Sequence, residues 1–263
     1  MSNQPPKARI KSGLRSVYKQ LVPYEQRQRL YKARHPEEYE HLRTAVYTSE
    51  KGDFSLRSYD QLNCLFVHIT KTAGTSVALS LFGELPYHYT AIDYRVIYGK
   101  RDFNEYFKFG FVRNPWDRLY SAYRYLQGGG WNSDDAAWAE QNLSDIRDFE
   151  DFVVNWLTPE KLNSHVHFWP QSRFIADAKG RLLLDYCARF ETIDQDYQKI
   201  AQHLNINTAL KSTNASARKK DFRTEYTAEM REKVLSLYGQ DISLLGYDFD
   251  GFVDHPELNR NRL

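Results

Sequence analysis

Short, almost wholly apolar runs alternate with longer amphipathic ones through most of this chain. Cys64-Leu65-Phe66-Val67-His68-Ile69 and Phe107-Lys108-Phe109-Gly110-Phe111-Val112 have strand length and no polar face, the pattern of strands buried on both sides of a parallel sheet. Leu182-Leu183-Leu184 and Cys187 to Phe190 supply further strand material. Between these runs the periodicity turns helical. Val77 to Phe82 reads as helix, and Pro115 suits the first position of a helix reaching Tyr125, ended by Gly128-Gly129-Gly130. Asp148 to Leu157, Thr192 to Leu204 and Thr227 to Gly239 also read as helices; in the last, Met230, Val234 and Leu237 recur on one face. Pro23 to about Tyr47, rich in Gln, Arg, Glu and Tyr, suits surface helices and is assigned no chemistry. Strands alternating with helices predict an α/β fold around a parallel sheet, with no internal repeat or low-complexity tract.

Composition narrows the classes. The 263 residues hold 36 Lys and Arg against 34 Asp and Glu, a net charge of +2, which excludes a supercharged nucleic-acid coat. At 41% hydrophobic and 27% charged, the chain is globular in composition, with one folded domain and appendages as the default. Its positive charge gathers at one end. Lys7, Arg9, Lys11, Arg15 and Lys19 occur without an acid, leaving 31 basic against 34 acidic residues elsewhere; a solvated terminus is expected there, with contact to an anionic surface as the other reading. No apolar h-region follows that terminus, and no apolar run approaches the ~20 residues of a membrane span, so a soluble, cytoplasmic protein without a transmembrane segment is expected. Cys64 and Cys187 have neither the number nor the spacing of a disulfide framework or zinc site, and both read as buried free thiols.

The candidate chemistry begins after the first strand. Thr70-Lys71-Thr72-Ala73-Gly74-Thr75-Ser76 links a buried strand to a helix start, where backbone N–H groups and the helix dipole favour an anion. Lys71 adds a mobile charge, Gly74 permits close backbone approach, and Thr75 and Ser76 offer hydroxyls. The loop differs from the nucleotide-hydrolase pattern G-x-x-x-x-G-K-S/T, because its lysine precedes the glycine by three residues and no glycine opens it. On this segment alone, a helix cap at Thr75 or Ser76 explains the hydroxyls equally well. A second segment, Phe111-Val112-Arg113 through Ser121, puts an arginine at a strand's end and a serine two turns into the following helix, both suited to a second anionic group.

The pairing of these two segments resembles the sulfotransferases that use 3′-phosphoadenosine 5′-phosphosulfate (PAPS), most closely the carbohydrate type called sulfotransferase family 2. The resemblance covers about Leu62 to Asp250. It implies a P-loop-like three-layer α/β fold, a central parallel sheet flanked by helices. On this reading residues 61–250 form the sulfotransferase domain, 1–60 a basic and helical N-terminal extension, and 251–263 a tail. Where the family pattern has a proline before the loop lysine, this chain has Thr70. The carbohydrate-acting members of the Golgi carry a membrane anchor, so a soluble enzyme of bacterial type is the nearer analogue.

The resemblance implies PAPS as cofactor, adenosine 3′,5′-bisphosphate as its product, and no metal. Lys71 would stabilise the leaving group, Thr72, Ala73, Gly74, Thr75 and Ser76 would hold the 5′-phosphate, and Arg113 and Ser121 the 3′-phosphate, with Arg218 and Lys219 as further contacts. His88, between the two motifs, takes the general-base role by the same resemblance. Ser164 to Arg173 reads as an acceptor-side loop with His165, His167, Gln171 and Arg173 as candidates and His167 as reserve base; a two-histidine metal site there lacks a nearby cysteine or third ligand. Phe168 and Trp169 suit either core or the face of a sugar. Arg189-Phe190-Glu191 resembles the family as well, and a strand-end ion pair explains it equally. The expected function is O-sulfation of a hydroxyl on a carbohydrate or glycoconjugate. The alternatives are a P-loop kinase, which would need a carboxylate for magnesium, and a binding protein that holds nucleotide without turnover; a nucleic-acid partner is not expected.

Overall fold

The computed structural model describes residues 18, 21–44, 55–211, 221–253 and 258. The basic residues from Lys7 to Lys19 and the candidates Arg218 and Lys219 lie outside them. Helices α1 (Tyr24–Arg34), α2 (Pro36–Thr44) and α3 (Arg57–Leu62) lead into strand β1 (Cys64–Phe66). Helices α4 (Gly74–Leu81) and α5 (Ala91–Glu105) cross to β2 (Phe107–Val112), and α6 (Pro115–Gln127) and α7 (Ser133–Leu143) start the longer crossover to β3 (Tyr186–Arg189). Helices α8 (Ile193–His203) and α9 (Ala228–Leu245) follow β3, with shorter helical turns such as Ser172–Ile175 and Phe222–Glu225 in the connections.

The three strands form one parallel sheet in the order β1-β2-β3, pairing Cys64 with Phe107 and Phe109 with Tyr186 in register. Every residue of β2 is buried, as the central strand of a sheet covered on both faces must be. One core cluster surrounds the sheet and takes in Phe66, Phe109, Phe111 and Ala188, and also Leu42 and Leu56 from the preceding helical segment. A second cluster joins α6 to α9 through Trp116, Leu126, Phe152, Phe168 and Met230, so Phe168 belongs to the core. Cys64 and Cys187 are both buried free thiols. Among the described residues no helix is long and apolar enough to cross a membrane.

Three segments depart from the sequence expectation. Leu182 makes an antiparallel bridge to Ala176, and Leu183 N–H donates to the Ile175 carbonyl, so this apolar run covers the sheet before β3 begins at Tyr186. From Asp148 to Leu157 a single α-turn, Phe149–Asp151, opens into a π-helical turn, Phe152–Trp156. Between Gly130 and Asp148, where the sequence predicts no element, the chain forms α7, capped by the Asn132 side chain accepting from Asp135 N–H.

Candidate active site

The carboxyl ends of the three parallel strands converge on one place, where α/β sheets of this type take their ligands. The loop after β1 reaches α4 through Lys71 and Ala73, both at left-handed φ (65° and 62°). Left-handed conformations cost a non-glycine residue about 1 kcal/mol or more, and the turn they make points successive N–H groups at one spot. Ala73 is the N-cap of α4, and its methyl side chain makes no capping hydrogen bond. The capping alternative for Thr75 and Ser76 is therefore not what the chain adopts: both lie inside the first turn, beside amides suited to an anion. Thr72 Oγ1 donates to the Ile69 carbonyl at 2.9 Å and pins the loop.

Two arginines from α6 and the turn before it tie this loop to the second motif. Arg113 Nη1 donates to the Lys71 carbonyl (2.8 Å), Nε meets Asp117 Oδ2 (2.7 Å), and the guanidinium lies 4.0 Å over the Phe190 ring. Arg118, only 2% exposed, donates from Nε to the Thr70 carbonyl, from Nη2 to Thr70 Oγ1 and from Nη1 to the Trp169 carbonyl, each at 2.8 Å. Thr70, the residue in place of the usual proline, thus supplies two acceptors to the buried arginine. Asn114 caps α6, its side chain accepting from the Trp116 and Asp117 amides, and its own N–H donates to Glu191 Oε1 at 2.7 Å. Glu191 accepts from Tyr247 as well, while Arg189 donates to the Leu245 carbonyl; the two residues bond other elements rather than each other in these contacts. Ser121 is half-buried on α6.

Histidines line the same place. His88 Nδ1 lies 2.7 Å from the His68 carbonyl, which can only accept, so Nδ1 carries the proton and Nε2 the lone pair. Burial pushes His88 down to about 4; the bond to the His68 carbonyl opposes this and the Arg118 charge reinforces it. Burial likewise holds His68 and His167 well below the ordinary histidine value, with neighbouring His88 and His165 charges, respectively, adding to it. The rings form a chain: His68 is 4.3 Å from His88, His88 6.3 Å from His167, and His167 4.6 Å from Tyr125, over whose face Lys71 Nζ sits at 3.8 Å. Gly74 closes this arrangement. A β-carbon there would fall 2.5 Å from His68 Nε2 and nearer still to Cδ2, so the space glycine leaves is filled by histidine.

The structure brings Lys71, the 72–76 loop, Arg113, His88 and His167 together. His165 pairs with Asp135 beside them, at 3.3 Å. Gln171 is wholly buried and bonds both the N–H and the carbonyl of Arg113, holding the strand end in shape. Arg173 is exposed, stacked at 3.5 Å on Trp169 and bonded to Asn163. Arg118, Tyr125, Asp135 and His68 escaped the sequence reading. The R-x-x-x-x-R spacing from Arg113 to Arg118 was visible, but nothing in it says which arginine turns inward.

Residues 90–248 match the Sulfotransferase family, a span that takes in the Arg113–Ser121 segment and the loop through Arg173 and begins just past the 70–76 loop and His88. No curated protein and no solved structure matches the chain. With more than half of its length matched, the chain belongs to the sulfotransferase family, enzymes that transfer a sulfuryl group.

Proposed function

We propose that this sulfotransferase moves the sulfuryl group from PAPS to a hydroxyl of a carbohydrate or glycoconjugate, with His88 as general base. The reading rests on one observation above the others: Arg113 of the second motif is bonded to Lys71 of the first, so two anion-directed segments far apart in sequence share one site. The first-turn amides of α4 suit the 5′-phosphate, and Arg113 with Ser121 suits the 3′-phosphate that distinguishes PAPS from ATP.

The transfer is in line. The acceptor oxygen bonds to sulfur as the bond from sulfur to the bridging phosphate oxygen breaks, and adenosine 3′,5′-bisphosphate leaves. His88 Nε2 takes the acceptor proton, while Lys71 offsets charge on the leaving phosphate. Arg118 holds the loop and the Trp169 turn in one geometry. His167, whose ring lies 6.3 Å from that of His88, is the second base candidate.

Calorimetric titration with adenosine 3′,5′-bisphosphate beside ATP plus magnesium tests this reading. Binding of the bisphosphate is expected, weakened at least tenfold by Lys71→Ala and by Arg113→Ala. His88→Ala should keep that affinity and lose sulfate transfer in an acceptor screen. Normal affinity in both of these variants would sink the reading, and preference for ATP with magnesium would favour a kinase.

A further inference from the structure

A second set of ligating groups borders this site. Asp135, in the first turn of α7, meets His165 and His167 from the loop beyond the π-helical turn, and one ligating atom from each lies within 4.8 Å of the others. Asp135 Oδ1 and His165 Nε2 stand 3.3 Å apart. That is the edge, roughly 3.3–3.4 Å, of a tetrahedron drawn with metal–ligand distances of about 2.0–2.1 Å. His167 is 8% exposed and its Nδ1 is buried with no hydrogen-bond partner, a cost that protein interiors rarely carry without an occupant.

The supporting contacts have the form that orients metal ligands. Asp135 Oδ2 accepts from the Tyr125 hydroxyl at 2.6 Å and from Trp131 N–H at 3.2 Å, leaving Oδ1 directed to the histidine. His165 Nδ1 accepts from the His167 amide at 3.4 Å, which fixes the ring with Nε2 toward the carboxylate. Gly130, at φ +68°, makes room: a β-carbon there would fall 2.8 Å from Asp135 Oδ2. Two imidazoles and one carboxylate are borderline donors, suited to zinc and unlike the all-oxygen sets of magnesium or calcium.

We propose that Asp135, His165 and His167 form a binding site for a divalent transition-metal ion of the zinc class, with the fourth position open. The bound ion would draw the third ligand inward from the 4.8 Å limit. It would also sit one aromatic ring from Lys71, since Tyr125 touches both Lys71 and His167.

The test is calorimetric titration of zinc into the untagged, chelator-stripped full chain, with cobalt(II) absorption as a second readout. One ion per chain and the intense visible spectrum of tetrahedral cobalt are expected, with affinity falling at least tenfold in His167→Ala and in Asp135→Asn. No stoichiometric binding, or unchanged affinity in both variants, would overturn the proposal. If a variant fails to fold, the cobalt spectrum of the intact chain decides, a six-coordinate spectrum counting against the site. No nucleotide is present in this titration, so its failure is distinct from failure of bisphosphate binding.

Discussion

Gly74→Ala separates two physical effects that pull in opposite directions. Gly74 opens α4, so alanine should stabilise the helix by up to about 1 kcal/mol. Space opposes this. The new β-carbon would lie 2.5 Å from His68 Nε2, about 1 Å inside ordinary contact between heavy atoms at ~3.5–4.0 Å. His68 has little room to yield: Nδ1 bonds the Pro86 carbonyl at 3.2 Å, and the ring is stacked on Phe66 at 5.7 Å with the tilted His88 ring 4.3 Å away. Overpacking of this kind costs about 1–3 kcal/mol, and the helix gain offsets only part of it, leaving a net loss of roughly 1–2 kcal/mol. In a chain of this size that lowers the melting temperature by roughly 2–8 °C. Turnover should fall more than stability implies, because the His68 carbonyl also orients His88. The assay is urea unfolding of Gly74→Ala, His68→Ala and the double variant. Once the His68 ring is gone the overlap is gone, so in that background Gly74→Ala should be neutral or stabilising, a coupling of about 2 kcal/mol between the two sites. Equal destabilisation in both backgrounds would refute the reasoning.

Arg118→Met should destabilise the chain by about 1–3 kcal/mol in urea unfolding, because the buried Thr70 and Trp169 carbonyls lose their donor; stability within 0.5 kcal/mol of the parent, roughly the scatter of surface substitutions, would show the arginine to be replaceable. The kcat/KM profile should stay level from neutral pH down to about pH 5 and fall with a midpoint near His88's value of about 4, since the protonated ring accepts no proton; a midpoint near 6.5 would mean the ring is solvated. Stability should also decline as pH falls from about 6.5 through 4: the unfolded chain protonates its histidines from about 6.5 downward, while His68, His88 and His167 are all depressed in the fold. Urea midpoints across that range report it, and constant midpoints would contradict the burial of these rings.

What the sequence disclosed follows from what each pattern encodes. β2 was legible end to end, Phe107–Val112, because a strand covered on both faces needs an unbroken apolar run. Leu182 to Leu184 carries the same signal without joining the parallel ladder, since hydrophobicity marks burial and says nothing of pairing. α5 passed unnoticed because Gly99, at φ +80°, breaks its periodicity; the capping box of Thr90 with Asp93 was the overlooked start signal. α9 was read only to Gly239, yet it continues to Leu245, where Gly246 turns left-handed and ends it. At the site, the loop lysine and Arg113 stood out because anion binding uses a compact local pattern. Arg118 and Asp135 matter through burial and through partners 30 to 51 residues away, which no local pattern records.

The charges at the site set how strong a base His88 can be. Arg113 is paired with Asp117, which offsets part of its charge, and Arg118, enclosed by carbonyls and a hydroxyl, acts mainly as a strut. Burial keeps His88, His68 and His167 neutral. A histidine held near 4 has its lone pair available at neutral pH, but it is a poorer base than one poised near 7. Bringing a multiply anionic donor beside Lys71 and His88 reverses part of that depression, because a nearby negative charge favours imidazolium. On the transfer reading, the donor therefore strengthens the base that acts with it, and His88 is a weak base until the donor arrives. The pKa governing kcat should then lie above the one governing kcat/KM, with the gap narrowing as salt screens the donor's charge.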